Sequence, residues 1–555
     1  MLMEPRFWTK NYDYSVPTTI RYPKIPVQEF VNLAAAFQPN KPATDFYKSF
    51  ITFREMRNRI LRMANALVRE GVGKGDRIGI ALPNSPQYVI AYYAVLTAGG
   101  IVVNMNPLYT HDELAFMVKN TRMNFLFTFD MVLPTIGPLA KEMKLKLIVT
   151  KMADFIDGFG VSTARDLALE PDWLHFSELL ESCAKDVLPD VTVTPDDPAV
   201  IQFTGGTTGI PKGAVLTHAN LVAATMHVCL WGQSTVLNYI SKEKVTLLGV
   251  IPYFHVYGNI TCLNVGFFSA ATQIQLPRFD INELFEAIGR YEQITFFPAV
   301  PTLITAVVNN PKIKELNISS KIGVFNSGGA PMPAELIKKV KDMGIFFSEG
   351  WGMSETASMG IINPVMRPKA GSIGIPCPDN DVRIVDLDEG LQDVKLGEPG
   401  EIIIKGPTVM KEYWDNPEET KKQLKDGWLH TGDIGQMDED GYITIVDRKK
   451  DLIIAGGFNI YPREVDEVLY QHPKVKEAVT VGIPDDYRGE TVKVFIVLKE
   501  GQKATTEEII DFCKEKLVAY KVPKLVEFRD FLPKSTIGKI LRKTLREEEM
   551  AGSKK

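Results

Sequence analysis

The sequence predicts an α/β protein with a large N-terminal domain and a small α+β C-terminal domain, and three observations carry that prediction. At 555 residues the chain is too long for one hydrophobic core. Segments of helical periodicity alternate with short apolar runs up to about residue 365, as in folds with largely parallel sheets. From 371 to 447, short strand-like pieces are instead broken by Gly and Asp turns, which predicts a different kind of sub-domain.

The N-terminal alternation predicts two sub-domains of layered helices and strands. The first helix is expected over 52–70, where Thr52 suits an N-cap and Gly71 a stop. Apolar runs typical of parallel strands follow, with helical patterns between them. The expected strands are 77–82, 102–104, 125–129 and 147–150, and the expected helices are 84–98, 111–120 and 135–143. A weakly patterned stretch with four prolines, 151–198, bridges the two sub-domains.

The later part of the chain predicts two more units. Strand-like pieces such as 382–385 and 401–405 predict a β-barrel-like sub-domain over about 371–447. A charged junction follows, and beyond it strands and helices alternate again. We therefore expect an N-terminal domain over 1–447, a junction at 448–451 and a C-terminal domain over 452–555.

Composition narrows the class of protein. The chain is 45% apolar and 24% charged, and its net charge of −5 gives no reason to expect nucleic acid as a partner. Its five cysteines lie far apart in the sequence, so neither a zinc site nor a disulfide framework is expected. The first residues lack the apolar segment of a signal peptide, and we expect a cytoplasmic protein.

The uncharged stretch 245–277 is long enough to suggest a membrane span. Proline, histidine, asparagine and glutamine residues interrupt it, however. A buried strand followed by a buried helix explains the same pattern, so we expect no transmembrane segment. The stretch is also a candidate wall for an apolar ligand site.

Residues 204–213, Thr-Gly-Gly-Thr-Thr-Gly-Ile-Pro-Lys-Gly, predict a phosphate-binding loop. Glycines let backbone N–H groups face an anion, threonines add hydroxyl donors, and Lys212 adds a positive charge. The apolar run 199–203 predicts a buried strand that anchors the loop. The predicted contacts are Thr204, Gly205, Gly206, Thr207, Thr208, Gly209 and Lys212.

This loop is not a Walker A motif. Gly213 stands where that motif has a Ser or Thr that binds magnesium, and Pro211 replaces its second glycine. A flexible Gly/Thr linker is the alternative interpretation, but a linker gives no reason for the Pro-Lys-Gly ending. The loop therefore predicts a phosphate site whose metal ligand lies elsewhere in the chain.

Six further motifs follow the loop. They are Pro-Tyr-Phe-His-Val-Tyr-Gly at 252–258, Gly-Gly-Ala-Pro at 328–331, Gly-Trp-Gly-Met-Ser-Glu-Thr at 350–356, Thr-Gly-Asp at 431–433, Asp-Arg at 447–448 and Pro-Lys-Ser-Thr-Ile-Gly-Lys at 533–539. In this order they make residues 25–545 resemble the acyl-adenylate-forming superfamily of acyl-CoA synthetases, luciferases and peptide-synthetase adenylation domains. Any one motif alone would be weak.

The resemblance implies an activity and its partners. Members join a carboxylate to AMP and release pyrophosphate, and most acyl-CoA synthetases then pass the acyl group to coenzyme A. The implied substrates are a small carboxylic acid, ATP and coenzyme A, and the implied metal is Mg²⁺. A homodimer is the assembly to be tested. Two negatively charged partners must meet, which explains the cations and N–H donors of the loop. Thr207 is counted among the catalytic residues.

The motif 350–356 implies the magnesium and adenine contacts. Magnesium prefers one or two carboxylates with phosphate and water oxygens, so Glu355 is the expected metal ligand and a catalytic residue. An ordinary surface glutamate is the alternative. By resemblance Trp351 stacks on the adenine; many relatives have Tyr there, and a Trp face stacks at least as well. The implied contacts on one face of the adenine are Gly350, Trp351, Gly352, Met353 and Ser354. Those on the other face are Gly328, Gly329, Ala330 and Pro331. A simple turn is the alternative interpretation of this second set.

Three charged residues near the C-terminus complete the implied nucleotide site. A carboxylate suits the two ribose hydroxyls because both are donors, and this is the role implied for Asp433. Arg448 is placed by resemblance near the same ribose or a phosphate, with a solvated charged face as the alternative. Lys539 resembles the catalytic lysine that bridges the attacking carboxylate and the α-phosphate. Sequence alone would make it one lysine of a basic tail.

The resemblance also makes the C-terminal domain mobile. Lys450 falls where relatives pivot between two closures, and a hinge residue need not be small. In the second closure Gly456, Gly457 and Phe458 would line the path of the pantetheine arm of coenzyme A. His255 lies in a motif near the carboxylate and phosphate of relatives, and we count it as a catalytic residue that positions or gates. A core histidine is the alternative.

The acyl group is predicted from what the walls lack. Apolar residues at 265–270, 300–303 and 325–327 are the expected walls, and no acid opposes an amino group there. We therefore expect activation of a medium- or long-chain fatty acid and its transfer to coenzyme A. The alternatives are an aryl-CoA ligase of the 4-coumarate type and a nucleotide-binding module whose catalysis has decayed.

Overall fold

A computed structural model describes residues 6–156, 167–204, 211–232, 244–330, 332–456, 458–485, 487–534 and 540–552. These residues separate into two compact units. The first takes in the described parts of 1–205, 211–381 and 405–424, and the second those of 382–404 and 425–555. The predicted junction at 448–451 falls inside the second unit, and the domain boundary there remains a prediction.

The strands of the first unit, numbered along the whole chain, form two mixed sheets. They are β1 Pro42–Phe46, β2 Ser49–Thr52, β3 Arg77–Ile80, β4 Ile101–Asn104, β5 Phe125–Phe129, β6 Lys146–Thr150, β7 Leu174–His175, β8 Pro198–Phe203, β9 Gly213–Thr217, β10 Thr246–Gly249, β11 Thr272–Gln275, β12 Ile294–Ala299, β13 Ile322–Ser327, β14 Phe346–Trp351, β15 Ile361–Ile362, β16 Ile375–Pro376 and, after two strands of the second unit, β19 Glu412–Tyr413.

Among the described residues, the first sheet has nine strands in the order β16-β15-β14-β13-β12-β10-β11-β1-β2. The second has eight, in the order β19-β9-β8-β4-β3-β5-β6-β7. Their central strands run parallel, and antiparallel strands are added at the edges. The predicted α/β class and its two layered sub-domains are therefore confirmed.

The helices of the first unit cover these sheets. They are α1 Glu29–Phe37, α2 Phe53–Arg69, α3 Pro86–Thr97, α4 His111–Thr121, α5 Leu133–Met143, α6 Phe176–Glu181, α7 His218–Gly232, α8 Val256–Gly258, α9 Val265–Phe268, α10 Ile281–Gly289, α11 Pro301–Val308, α12 Lys312–Glu315, α13 Ile318–Lys321, α14 Ala334–Asp342 and α15 Pro417–Gln423, with a π-helix at Asn259–Asn264 and 3₁₀ turns at Phe7–Asn11, Asp130–Val132, Met152–Phe155 and Ser354–Thr356.

The local signals in the sequence explain several of these elements. Thr52 and Glu55 form the reciprocal capping box of α2, as the predicted N-cap requires. Helix α3 is buried along its whole length, which matches its lack of a polar face. The stretch 245–277 contains β10, a buried π-helix and β11, so a buried strand and helix are confirmed. Across the described residues, every helix is too short or too polar to cross a membrane.

The second unit contains two five-stranded sheets in its described part. The first consists of β17 Asp381–Val385, β18 Gly400–Lys405, β20 Leu424–Lys425, β21 Trp428–Met437 and β22 Ile443–Arg448. The second consists of β23 Ile453–Ala455, β24 Phe458–Ile460, β25 Val475–Asp485, β26 Gly489–Leu498 and β27 Leu525–Phe528, and it carries the helices α16 Pro462–Tyr470, α17 Thr506–Lys514 and α18 Arg542–Gly552.

This second unit confirms the α+β C-terminal part and corrects the barrel-like expectation. The sheet formed by β17, β18, β20, β21 and β22 has open edges among the described residues and does not close into a barrel. Closure requires a continuous ring of strand pairs. Residues 371–380, which were expected in the barrel-like sub-domain, instead contribute β16 to the nine-stranded sheet, where it pairs with β15.

Candidate active site

Two neighbouring strands bring the predicted adenine contacts to one edge of the nine-stranded sheet. β13 and β14 pair in parallel, with Ser327 beside Glu349, so the residues that follow β13 lie next to the end of β14. Ligands commonly bind at the carboxyl ends of parallel strands. The structure thus brings Gly328, Gly329 and Ala330 close to Gly350 and Trp351, while Pro331 lies outside the described residues.

Two glycines in the motifs 328–331 and 350–356 are required by the backbone. One has no room for a side chain, and the other has a positive φ. A Cβ at Gly352 would lie 1.9 Å from the Ser358 carbonyl oxygen, so the backbone occupies that space. Gly329 has a φ of +80°, which other residues rarely adopt. Both positions explain why the sequence motif is rich in glycine.

Glu355 is buried just beyond this edge, in the 3₁₀ turn Ser354–Thr356. Its Oε1 accepts a hydrogen bond of 2.7 Å from the Tyr413 hydroxyl, and its backbone carbonyl accepts one of 2.7 Å from the Met410 N–H. Met353 enters the turn through its N–H, which donates to Thr356 Oγ1 over 3.0 Å. Glu355 is therefore an oriented, buried carboxylate, and the alternative of an ordinary surface glutamate is wrong.

Tyr413 reaches Glu355 because β19 pairs with β9, the strand that follows the phosphate loop. Burial, followed by the negative charge of Glu355, raises the pKa of the Tyr413 hydroxyl. The hydroxyl therefore stays protonated at neutral pH and remains a donor to the carboxylate. Nothing in the sequence motifs had pointed to this tyrosine.

The predicted strand before the phosphate loop is confirmed as β8, buried from Ala199 to Phe203. β8 and β9 pair antiparallel, with Phe203 beside Gly213, and the Thr204 N–H donates to the Lys212 carbonyl over 2.8 Å. Of the predicted loop residues, Thr204 and Lys212 are described. Gly205, Gly206, Thr207, Thr208 and Gly209 lie outside the described residues.

Lys212 is held by a carboxylate from a distant part of the chain. Its ammonium lies 2.5 Å from Glu419 Oε1 and 5.5 Å from the centre of the Tyr413 ring. The side chains of Lys212 and Glu419 are 28% and 19% exposed, so this pair is open to solvent on one side. The hydrogen bond from Lys212 lowers the pKa of Glu419, so its carboxylate stays charged.

His255 caps the short helix α8. Its Nδ1 accepts a hydrogen bond of 3.2 Å from the Tyr257 N–H, so in the neutral ring the proton lies on Nε2. The Tyr257 hydroxyl lies 2.8 Å from the Asn326 carbonyl oxygen at the end of β13, and its ring packs against Gly328. His255 is thus held close to the carboxyl end of β13, and its positioning role remains a prediction.

A buried polar network that the sequence analysis did not single out holds the segment around His255. The Asn84 side chain accepts from the Tyr253 N–H over 2.7 Å, and Gln202 Nε2 donates to the Phe254 carbonyl over 3.0 Å. Asn104 Nδ2 donates to Gln202 Oε1 over 3.0 Å. A polar residue inside a buried apolar strand, as Gln202 is in β8, was the signal that could have revealed it.

An apolar cavity lies farther along the nine-stranded sheet. Leu247, Phe296 and Val324 stand side by side on β10, β12 and β13, and all three line it. The helices contribute Val228 and Cys229 from α7, and Val265 and Ser269 from the α9 region. Residues of the predicted wall at 265–270 line this cavity, and the walls predicted at 300–303 and 325–327 remain predictions.

In the second unit, Asp433, which is predicted to bind the ribose, lies beside Arg448, which is predicted to lie near the same ribose or a phosphate. Asp433 on β21 stands opposite Arg448 on β22, and Arg448 Nε lies 3.0 Å from Asp433 Oδ1. The Asp433 N–H donates to Thr431 Oγ1 over 3.1 Å, which fixes the Thr-Gly-Asp turn. Pairing with a buried carboxylate makes a purely solvated face the poorer interpretation of Arg448.

The remaining predicted residues of the second unit receive less support. Lys450 is exposed in the turn after β22, and Phe458 is 52% exposed and stacks on Tyr520 at 4.5 Å. Gly456 adopts a φ of +60°, and its N–H donates to the Arg488 carbonyl over 2.7 Å. Gly457 and Lys539 lie outside the described residues. The hinge, the coenzyme A path and the catalytic lysine remain predictions.

Comparison with known proteins identifies the family. The model of the AMP-binding enzyme family matches residues 31–414, and that of the AMP-binding enzyme C-terminal domain matches residues 464–539. The chain belongs to the AMP-binding enzyme family. The resemblance inferred from the seven motifs is confirmed.

Three similar proteins place the chain more closely. A long-chain-fatty-acid–CoA ligase of Bacillus subtilis is 40% identical over 564 residues, which cover 98% of each protein. The anthranilate CoA ligase AuaEII, solved with anthranoyl-AMP, has a TM-score of 0.84 at 26% identity, covering 96% of this chain and 98% of that one. ATP-bound MatB from Rhodopseudomonas palustris has a TM-score of 0.82 at 29% identity, covering 93% and 98%.

Proposed function

We propose that this protein is an AMP-forming acyl-CoA ligase that activates a medium- or long-chain fatty acid with ATP and transfers the acyl group to coenzyme A. One observation carries the proposal. Tyr413 contacts both the buried Glu355 and the ammonium of Lys212, beside the ends of β8 and β9 that flank the phosphate loop. A carboxylate and a cation held this way suit a metal-bound triphosphate.

The proposed first half-reaction is the attack of a fatty-acid carboxylate oxygen on the α-phosphorus of ATP. The new P–O bond forms as the bond from the α-phosphorus to the bridging oxygen breaks, and pyrophosphate leaves with that electron pair. Lys212 would hold the β- and γ-phosphates with the loop residues. Lys539 would bridge the carboxylate and the α-phosphate. Asp433 would hold the ribose, and Arg448 would lie near that ribose or a phosphate.

The proposed second half-reaction transfers the acyl group. The sulfur of coenzyme A attacks the acyl carbon, the bond from that carbon to the phosphate oxygen breaks, and AMP leaves while the thiol proton is released. Lys450 is the proposed pivot, and Gly456, Gly457 and Phe458 the proposed path of the thiol arm. These roles rest on the family resemblance.

The described residues fit a magnesium ion that arrives with the nucleotide. Glu355 offers the hard oxygen donor that magnesium prefers, and no group of three potential ligating side chains occurs in the described part of the chain. Mg²⁺ so bound would neutralise charge on the leaving pyrophosphate. Glu355 is therefore the proposed protein ligand, with phosphate and water oxygens completing the shell.

The choice of a fatty acid rests on the relatives and on the predicted walls, which contain no acid to oppose an amino group. The Bacillus subtilis relative is named for long-chain fatty acids. An aryl-CoA ligase is the second candidate, because the structurally similar AuaEII acts on anthranilate. The predicted cytoplasmic location and homodimer remain predictions.

A substrate series tests the proposal. Pyrophosphate release would be measured with saturated acids from C8 to C16 and with aryl acids such as 4-coumarate, at fixed ATP and coenzyme A. We expect the highest kcat/KM on a C8–C16 acid. Activity on aryl acids alone would replace the fatty-acid choice, and absence of thiol-dependent AMP formation with every acid would favour a decayed nucleotide-binding module.

A further inference from the structure

The segment Met410–Glu419 contacts two of the proposed ATP-binding groups, although it lies outside the seven sequence motifs. Its backbone is fixed along β9, with the Lys411 N–H donating to the Val215 carbonyl over 3.0 Å and the Trp414 N–H donating to the Gly213 carbonyl over 2.7 Å. The Met410 N–H donates to the carbonyl of Glu355. Both Tyr413 and Glu419 therefore project from a firmly held support.

The carboxylate of Glu419 forms an ion pair with the ammonium of Lys212. The two side chains lie 2.5 Å apart, and Gln423 Nε2 donates to the same Glu419 oxygen over 3.2 Å, so the carboxylate is oriented toward the lysine. A lysine that binds a triphosphate must direct its ammonium to phosphate oxygens. In this structure a protein carboxylate takes the place that a phosphate oxygen would need.

The exchange of one partner for the other is energetically easy. Lys212 and Glu419 are partly exposed, and ion pairs of this kind contribute little net stability because water solvates both charges well when they separate. A triphosphate carries several negative charges and offers stronger, charge-assisted hydrogen bonds. The nucleotide can therefore displace Glu419 without leaving an uncompensated buried charge.

Tyr413 links this pair to Glu355. Its hydroxyl donates to the Glu355 carboxylate, its ring faces the Lys212 ammonium, and its own N–H donates to Thr420 Oγ1 over 2.9 Å. Tyr413 thus fixes the direction of the carboxylate proposed to meet the metal.

We propose that Glu419 is an internal counter-ion which Lys212 exchanges for the phosphates of ATP, and that Tyr413 is the positioning residue that orients Glu355 toward the metal of the nucleotide. This inference rests on the proposed function. It adds two residues to the triphosphate site and assigns Glu419 a role that opposes nucleotide binding.

Binding of the α,β-methylene analogue of ATP, measured by calorimetry without an acid or coenzyme A, tests both roles. Glu419→Gln keeps the size of the side chain and removes the competing charge, so we expect Kd to fall roughly fivefold, the factor that corresponds to a partly exposed ion pair. Glu418→Gln, the same change at the exposed neighbour on α15, is the matched control and should leave Kd unchanged. A Glu419→Gln Kd that is unchanged or higher would overturn the exchange.

Tyr413→Phe tests the second role through the metal. We expect the ratio of Kd in EDTA to Kd in Mg²⁺ to fall about tenfold, because a hydrogen bond to a charged carboxylate is lost, while Kd in EDTA itself stays the same. Tyr14→Phe, at an exposed tyrosine, is the control. An unchanged ratio would overturn the positioning role, and the Glu419 arm stands even if Tyr413→Phe fails to fold.

The wild-type measurement separates this inference from the proposed function. If wild-type protein does not bind the analogue at all, the proposed function itself is wrong. If it binds and catalyses acyl-CoA formation while the variants behave as their controls, the function stands and the roles of Glu419 and Tyr413 are rejected.

Discussion

Each unit of this molecule contains a cation paired with carboxylate, and the two sites differ in the number and the burial of the carboxylates. In the described part of the first unit, Lys212 pairs with the carboxylate of Glu419, and both side chains are partly exposed. In the second, Arg542 pairs with three: Nη1 lies 3.4 Å from Asp447 and 3.6 Å from Asp451, and Nη2 pairs with Asp466. The Asp447 and Asp466 side chains are only 1% and 10% exposed.

The pKa directions show the same contrast. Burial raises the pKa of Asp447 and of Asp466 even though Arg542 acts to lower them. Burial also acts to lower the pKa of Arg542, and the charges of Asp466, Asp447 and Asp451 outweigh it and raise that pKa. Separating a cation from buried carboxylates costs a large free energy because the carboxylates remain buried and uncompensated, whereas Lys212 can change its partner. The difference separates a pair suited to ligand exchange from a cluster suited to holding structure.

The largest expected effect is at the buried cluster. Arg542→Ala should lower the free energy of unfolding of the second unit by about 3–5 kcal/mol, because it leaves buried carboxylates without their cation. Chemical denaturation followed by a probe in the second unit measures this. Arg546→Ala, which removes an arginine with one partly exposed partner, Glu490, is the control and should cost about 1 kcal/mol or less. Equal costs would remove the distinction between the clusters.

The same variant should respond to pH with a definite sign. A buried carboxylate whose pKa is raised binds protons more tightly in the folded state, so its stabilising contribution is present at low pH and lost as pH rises through the folded pKa. Removing Arg542 raises that pKa further. The stability deficit of Arg542→Ala relative to wild type should therefore shrink as the pH is lowered from neutral through the raised pKa values of these carboxylates. A deficit that grows on acidification would contradict the cluster's electrostatics.

The next effect concerns Lys539 of the second unit, which is predicted to serve only the first of the two half-reactions. Lys539→Ala should slow adenylation by about 10²-fold, equivalent to about 2.7 kcal/mol, the effect of removing one preorganised donor to the transition state. Thioester formation from supplied acyl-AMP should change far less. The control is Lys543→Ala on α18, whose lysine pairs with Glu547 at 3.5 Å. Equal loss in both half-reactions would refute a lysine that serves adenylation alone.

The exchangeable pair of the first unit should show the opposite profile from Arg542. Lys212→Met should raise the KM for ATP roughly tenfold, because charge-assisted hydrogen bonds to the phosphates are lost. The free energy of unfolding should change by less than about 1 kcal/mol, since the lysine and its partner are partly exposed. Lys421→Met, at an exposed lysine on α15, is the matched control. A large stability loss with unchanged KM would reverse the comparison.

The smallest effect is expected at Trp351, the residue predicted to stack on the adenine. Trp351→Tyr should change the KM for ATP by less than about threefold, because both rings offer a stacking face, whereas Trp351→Ala should raise it about tenfold. Steady-state kinetics at saturating acid and coenzyme A give both values. Similar KM values for the Tyr and Ala variants would show that stacking is not the role of Trp351.

Several features of the fold and site were predictable because local chemistry fixes them. Thr52 with Glu55 predicted the start of α2, the run 199–203 predicted β8, and the seven motifs predicted the family. The barrel-like expectation was wrong because turn-rich strand patterns indicate a sheet without stating whether its edges meet.

The sequence by itself determined the inventory of this site: a glycine- and threonine-rich loop, a glutamate beyond Gly-Trp-Gly, and an aspartate after Thr-Gly. Only the tertiary structure decided the partners. Glu419 is 207 positions from Lys212, and Tyr413 is 58 positions from Glu355. Those distances are closed by the pairing of β19 with β9, a non-local contact that no local propensity encodes. The physical reason is that residue type sets which interactions a side chain can make, while strand pairing sets which group it meets.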